Sequence, residues 1–291
     1  MHPLFIFLII LVSIILLFLL ALHLGFKAPR NKETKTPHDF GIKDYHEVSI
    51  PTAQNKKLFA WLLPIESATE TIIVLHGWGG NAELMLPIAK PFHKAGLNVL
   101  LIDTRAHGKS DSALFSSLPR FAEDLGKSID WLKKEHPERT QKIALLGHSV
   151  GAGAVLFEST KRNDIDAIIS ISAFAHAEWM MTRYLQSLHI PSFLIHIILN
   201  YVQWLIGHSF SSFAPLSTVC DISAPILIVH GKDDTTIPIE DARAIIKNCP
   251  EPHLEIFEVD DAGHESVEKF KEHANVLIDF LAKSQFSVLR K

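Results

Sequence analysis

Apolar residues fall along this chain in three different rhythms. The first is an unbroken run: residues 4–22 are apolar except for Ser13. A helix of about 20 such residues matches the hydrocarbon core of a bilayer. The second is a set of short apolar runs bounded by turn formers, at 71–76, 98–103, 143–146, 166–171, 225–230 and 254–259. Runs of that length read as strands buried on both faces, the habit of a parallel sheet. The third is helical spacing, at 82–95, 118–136, 239–247 and 266–282. In 118–136, Phe121, Leu125, Ile129 and Leu132 share one face, and Pro137 ends the pattern. Two more strands, 46–50 and 57–63, flank a polar turn at 52–55 and read as an edge hairpin.

Strand and helix therefore alternate from residue 71 onward. That order predicts an α/β fold, a mostly parallel central sheet with helices on both faces. The exception is 173–218, which contains no strand. A loop of that length needs helices of its own. Residues 190–207 are apolar and aromatic, with polar breaks at Ser192, His196, Asn200 and Gln203. These breaks form one polar stripe, and with Pro191 they argue against a second membrane span. We read 173–218 as a helical lid insertion, apolar enough to line a substrate cavity or touch a membrane surface.

The first run decides the domain plan. A signal peptide would need a basic start, a shorter apolar stretch and a small-residue cleavage site; His2 and the exit at 21–25 supply none of these. Residues 1–24 are expected to be an N-terminal transmembrane helix, 25–45 a juxtamembrane linker and 46–291 the catalytic domain. Lys27, Arg30, Lys32 and Lys35 follow the run and no Lys or Arg precedes it. The positive-inside rule then places the catalytic domain of this single-pass chain in the cytoplasm. The basic linker also suits anionic headgroups.

Composition narrows the chemistry. A net charge of −4 gives no general nucleic-acid footprint. The 17 histidines are scattered and form no H-E-x-x-H. Cys220 and Cys249 form no C-x-x-C, so neither a zinc site nor a disulfide framework is implied. Two unpaired cysteines fit a reducing compartment. No metal and no organic cofactor is expected.

Gly147-His148-Ser149-Val150-Gly151 is a G-x-S-x-G between a buried strand and a helical stretch at 152–159. In that setting the pattern is a nucleophile elbow, with Ser149 on a sharp strand-to-helix turn. Alone it is weak: about one random chain in ten of this length would contain it. Ser149 needs a general base and a carboxylate to orient it, and in an elbow fold they follow in the order acid, then His. Asp233 and Asp234 lie just beyond the strand at 225–230, and His264 lies just beyond 254–259. Both loops belong to the same edge of a parallel sheet. The backbone N–H of Val150 is one expected oxyanion donor. Trp78, in the Gly-rich loop after 71–76, is the other.

With those segments in place, the chain from about 46 to 285 resembles the α/β-hydrolase superfamily. Within it, the chain resembles the membrane-anchored Bem46-like hydrolases and the serine aminopeptidase S33-type set. The matching segments are HGWGG at 76–80, DTRAHGKS at 103–110, GHSVG at 147–151, HGKDDTTIP at 230–238 and DAGH at 261–264. The resemblance implies the α/β-hydrolase fold. Its G-x-x-D-x-x-x-P pattern selects Asp234 over Asp233. It also implies structural roles for Asp103, Arg105 and Gly108, and it makes His107 and His148 structural rather than catalytic. One departure is visible: family members often carry Asp-Gly in the first hairpin turn, where this chain has Gln54-Asn55.

The expected activity is hydrolysis of carboxylic esters, acyl or lipid-like, through Ser149, Asp234 and His264 and an acyl-enzyme. The expected partners are a small-molecule ester and the membrane. An S33-type peptidase is the alternative reading, with Glu178 or Glu265 as candidates to hold a substrate amine. A non-catalytic scaffold on the same fold is the third. Epoxide hydrolase and dehalogenase chemistry needs Asp where this chain has Ser149.

Overall fold

The computed structural model describes residues 3–25 and 27–289. Met1, His2 and Phe26 of the expected anchor and linker, with Arg290 and Lys291, lie outside the described residues. The first apolar run forms helix α1 (Pro3–Gly25). Leu4, Phe7 and Leu17 on it are 61%, 61% and 65% exposed. Among the described residues, no helix is long and apolar enough to cross a membrane. The expected transmembrane span is therefore not supported by the described residues.

Eight strands form one sheet: β1 (His46–Thr52), β2 (Lys56–Leu63), β3 (Glu70–Leu75), β4 (Asn98–Ile102), β5 (Lys142–His148), β6 (Ala167–Ile171), β7 (Ile226–Gly231) and β8 (Leu254–Val259). Their spatial order is β1-β2-β4-β3-β5-β6-β7-β8. The first hairpin is antiparallel, β2 runs antiparallel to β4, and the remaining pairs are parallel. The expected mostly parallel sheet is thus observed. In the edge turn, Gln54 and Asn55 have φ of 60° and 57°, the left-handed values a tight hairpin turn requires.

Strand residues divide by alternation between two cores. Ile73, Leu75, Leu145, Ile168 and Ile228 face one; Ile72, Val74, Leu146, Ile169 and Val229 face the other. The first core is covered by α3 (Leu118–Glu135), α4 (Val150–Ser159) and α8 (Ile239–Asn248), the second by α2 (Ala82–Lys94), α9 (Val267–Glu272) and α10 (Ala274–Lys283). The expected face of α3 is the buried one: Phe121, Leu125, Ile129 and Leu132 are fully inside. Each contributes about 1.5–3 kcal/mol by leaving water. Asn81 caps α2, its side chain accepting the Leu84 N–H at 3.1 Å.

This layering creates a switch point. From β3 the chain crosses to α2 on one face and returns as β4; from β5 it crosses to α4 on the other face and continues to β6. Adjacent β3 and β5 therefore send their exits apart, leaving a crevice at their carboxyl ends.

The insertion between β6 and β7 is helical, with α5 (Ala177–Ser187), α6 (Ser192–Ile206) and α7 (Pro215–Thr218). Ile195, Ile198, Leu199 and Val202 form the buried stripe of α6, while Phe193 and Trp204 are 67% and 75% exposed. Two expectations need correction. Cys220 and Cys249 are not unpaired: they form a disulfide, with Cα atoms 5.7 Å apart. It ties the chain leaving the helical insertion to the end of α8, two segments that no cysteine-spacing rule brings together. The helix expected over 266–282 is two helices. His273 departs from helical dihedrals between them, where its ring packs edge-on against Phe257.

Candidate active site

Ser149 sits where β5 ends and α4 begins, with φ 55° and ψ −118°. A non-glycine residue held there is strained. The surroundings enforce it: the Ser149 N–H donates to the Ile171 carbonyl at 2.9 Å, and its own carbonyl accepts the Gly153 N–H at 3.1 Å. Gly147 is required by contact, because a Cβ there would lie 2.2 Å from the Gly151 carbonyl oxygen. The sharp turn expected from G-x-S-x-G is present, and β5 reaches His148, two residues beyond the strand read from the sequence.

Asp234 and His264 come from the loops after β7 and β8. His264 Nε2 is 2.9 Å from Ser149 Oγ, and His264 Nδ1 is 2.8 Å from Asp234 Oδ2. Asp234 Oδ1 accepts the N–H groups of Thr236 at 2.9 Å and Ile237 at 2.8 Å. Burial works against ionisation of Asp234, but the His264 hydrogen bond and the Ile237 N–H outweigh it and hold its pKa below the usual value. An ionised Asp234 accepts from Nδ1–H, which leaves Nε2 free to accept the Ser149 proton. The structure thus brings Ser149, Asp234 and His264 together across more than a hundred residues of sequence. Asp233 makes its own backbone turn, its N–H donating to Ala262 O at 3.1 Å.

The loop after β3 passes beside the serine. A Cβ on Gly77 would lie 3.0 Å from Ser149 Cβ and 3.1 Å from His148 Nδ1. Trp78 follows, 37% exposed. Val150 opens α4, so its N–H is one of the free donors of a helix start. Both expected oxyanion donors therefore stand on segments adjoining Ser149.

The DTRAHGKS segment is a buried brace. The Asp103 carboxylate accepts the N–H of Ala82 at 2.7 Å and of Lys109 at 2.8 Å, joining the start of α2 to the neighbouring loop. Arg105 Nε lies 2.7 Å from Asp124 Oδ1. His76 Nδ1 donates to Gly77 O at 2.7 Å, and its Nε2 accepts the Thr104 N–H at 3.1 Å. Burial pushes His76 down to about 4 and His107 down to about 3, so both are neutral rings at physiological pH.

Three contacts were not legible as part of the site. His148 Nε2 donates to the His264 carbonyl at 2.8 Å. His230 is buried with Nε2 donating to Ile237 O at 2.7 Å, 3.5 Å from Asp234 Oδ2. Residues 29–33 pack on the loops around Ser149. For His148 the only available signal was its place next to the serine. Glu178 and Glu265, the candidate amine holders, are exposed. Among the described residues no group of His, Cys, Asp and Glu is arranged to hold a metal.

A family model described as serine aminopeptidase, S33 matches residues 66–215. An uncharacterized membrane protein of Saccharomyces cerevisiae, YNL320W, is 24% identical over 86% of this chain and 84% of its own length. The uncharacterized Bacillus subtilis protein YqkD is 29% identical over 72% and 70%. Among solved structures, the Pyrococcus furiosus esterase Pf2001 superposes with a TM-score of 0.74 at 25% identity, over 90% of this chain and 98% of that one. Est1E of Butyrivibrio proteoclasticus, solved with ferulic acid bound, has the same fold, with a TM-score of 0.61 at 20% identity over 81% and 99%.

Proposed function

We propose, for a chain that belongs to the serine aminopeptidase S33 family of α/β-hydrolases, that it is a serine hydrolase cleaving carboxylic esters through an acyl-enzyme. The observation that carries this reading is the relay from Ser149 Oγ through His264 to Asp234, at 2.9 and 2.8 Å. His264 Nε2 takes the Ser149 proton as Oγ attacks the ester carbonyl. The imidazolium is stabilised by ionised Asp234. The Trp78 and Val150 N–H groups receive the developing oxyanion, such donors contributing about 3 kcal/mol each. His264 then protonates the leaving alcohol, and water repeats the sequence on the acyl-enzyme.

Acyl or lipid-like esters are the proposed substrate class. The lid supports this by exposing Trp179, Tyr184, Leu188, Phe193, Ile197 and Trp204. The esterase Pf2001 supports ester over peptide chemistry. The family's description supports the peptidase alternative. Rates on p-nitrophenyl acyl esters and aminoacyl anilides, compared side by side, separate the two. Preferred anilide cleavage would replace the ester reading. Fluorophosphonate labelling of Ser149 excludes the scaffold reading, and a folded protein that takes no label supports it.

We also propose that α1 tethers the protein to a membrane. Support comes from the uncharged run at 4–22 and from the exposure of its apolar side chains. The relative YNL320W is itself described as a membrane protein. The four cations after the run favour a cytoplasmic catalytic domain. The Cys220–Cys249 disulfide argues for an oxidising compartment instead. Protease protection of the catalytic domain in sealed membranes decides the orientation: cleavage from the cytoplasmic side supports the cations.

A further inference from the structure

The segment following α1 lies across the loops that frame Ser149. Pro29 packs on Gly79 so closely that a Cβ on that glycine would lie 2.8 Å from Pro29 Cγ. Asn31 Nδ2 donates to the Gly79 carbonyl at 2.8 Å, and Asn31 O accepts from Asn81 Nδ2 at 3.4 Å. Arg30 Nε donates to Gly108 O at 2.8 Å, and its terminal amine donates to Ser110 O. The Glu33 carboxylate, its side chain 2% exposed, pairs with Lys109 Nζ at 2.8 Å. One short strip of chain therefore holds both loops, 77–81 on one side and 108–110 on the other.

The first of those loops carries the oxyanion donor. Between the Trp78 N–H and the peptide that Asn31 grips there is a single tight turn, closed by the Gly80 N–H to Gly77 O at 3.1 Å. Glycines at 77, 79 and 80 give the turn little stiffness of its own. Loop 77–80 also lacks a helix or strand ladder to fix its peptide planes. The buried His76 ring holds the Gly77 carbonyl, on the peptide that carries the Trp78 N–H, at 2.7 Å; on the far side of Trp78 the strip holds the Gly79 carbonyl at 2.8 Å.

We propose that residues 29–33 are a positioning strap for the oxyanion loop, with Asn31 the positioning residue that sets the Gly79 peptide and, through it, the aim of the Trp78 N–H. The polar partners of the strap are residues 79, 81 and 108–110, and it acts on Ser149 only through the loops it holds. Its effect falls on the transition state, where the oxyanion forms, and not on ground-state binding. This inference rests on the ester-hydrolase reading given above.

The test uses full-length protein in detergent, with active sites counted by fluorophosphonate. Asn31→Leu keeps the side-chain shape and removes the donor; Asn31→Gln keeps an amide. With a p-nitrophenyl acyl ester, Asn31→Leu is expected to lower kcat about tenfold per active site, the scale of a small misplacement in a catalytic constellation. KM should stay within about twofold of wild type. An alkylboronic acid, which forms a tetrahedral anion on the serine, should bind Asn31→Leu more weakly in the same proportion. Asn31→Gln should recover most of the loss. An Asn31→Leu enzyme with wild-type kcat and boronate affinity overturns the strap. So does a loss that merely follows a smaller count of active sites. A wild-type protein inert toward esters overturns the hydrolase reading and the strap with it.

Discussion

His148 Nε2 donates a hydrogen bond of 2.8 Å to the backbone carbonyl of His264. His148, the residue before Ser149, thereby holds the backbone of His264, and the two rings lie 5.2 Å apart. Burial, followed by the nearby His264, pushes the pKa of His148 down, so the ring is neutral and keeps a single N–H for this bond. Replacing His148 with Leu should loosen the His264 loop and cut kcat/KM by about tenfold or more. Gln places an amide N–H near the same point and should retain more activity. Steady-state rates per titrated active site of both variants check the order wild type, Gln, Leu.

Gly147 is set by space. A Cβ at that position would lie 2.2 Å from the Gly151 carbonyl oxygen, 2.4 Å from its carbon and 2.7 Å from the Ala152 nitrogen. All three are backbone atoms and none can swing aside. Gly147→Ala should destabilise the fold by about 3 kcal/mol, at the upper end of overpacking effects. Urea denaturation monitored by tryptophan fluorescence measures it.

The G-x-S-x-G turn, the alternation of strands and helices and the loop positions of Asp234 and His264 were all legible in the sequence. Each is written locally: two small residues permit a turn, a five-residue apolar run is a buried strand, and residues following such strands gather at one sheet edge. What was not legible lies in contacts between distant segments. Cys220 and Cys249 meet because the chain returning from the helical insertion passes the end of α8. The strap at 29–33 is polar and aperiodic, and its partners at 79, 108 and 110 are backbone carbonyls, which carry no side-chain signature. At the break, His273 packs its ring against Phe257 in another element, a contact that the spacing of residues 266–282 does not encode.

Glu33 makes the strap sensitive to pH. Burial pushes its pKa up to about 7 from 4.5; Lys109 opposes the rise and the carboxylate of Asp103 adds to it. A carboxyl raised in the folded state stabilises the fold fully below its unfolded pKa, and that contribution is lost as pH rises through the folded value. For Glu33 the window runs from about 4.5 to about 7. Glu33→Gln should remove this dependence. Its melting temperature should exceed that of wild type above pH 7, with the difference narrowing toward pH 5. Thermal melts of the two proteins across that range measure how the difference narrows.

The Cys220–Cys249 bond closes a loop with a sequence separation of 29. A loop of that length is constrained by about 3–4 kcal/mol in the unfolded chain. Reduction, or Cys220→Ser with Cys249→Ser, should lower the melting temperature while leaving the Ser149–His264–Asp234 geometry and the per-site kcat unchanged. Melts with and without reductant test the first point and ester kinetics the second.

The hydroxyl of Ser149 is the proposed nucleophile. The most direct measurement is the turnover of a p-nitrophenyl acyl ester by Ser149→Ala beside wild type, both shown to be folded. The expected result is a fall in kcat of at least about 10⁴-fold, as for loss of a triad member. Ser149→Ala hydrolysing the ester at the wild-type rate would contradict it.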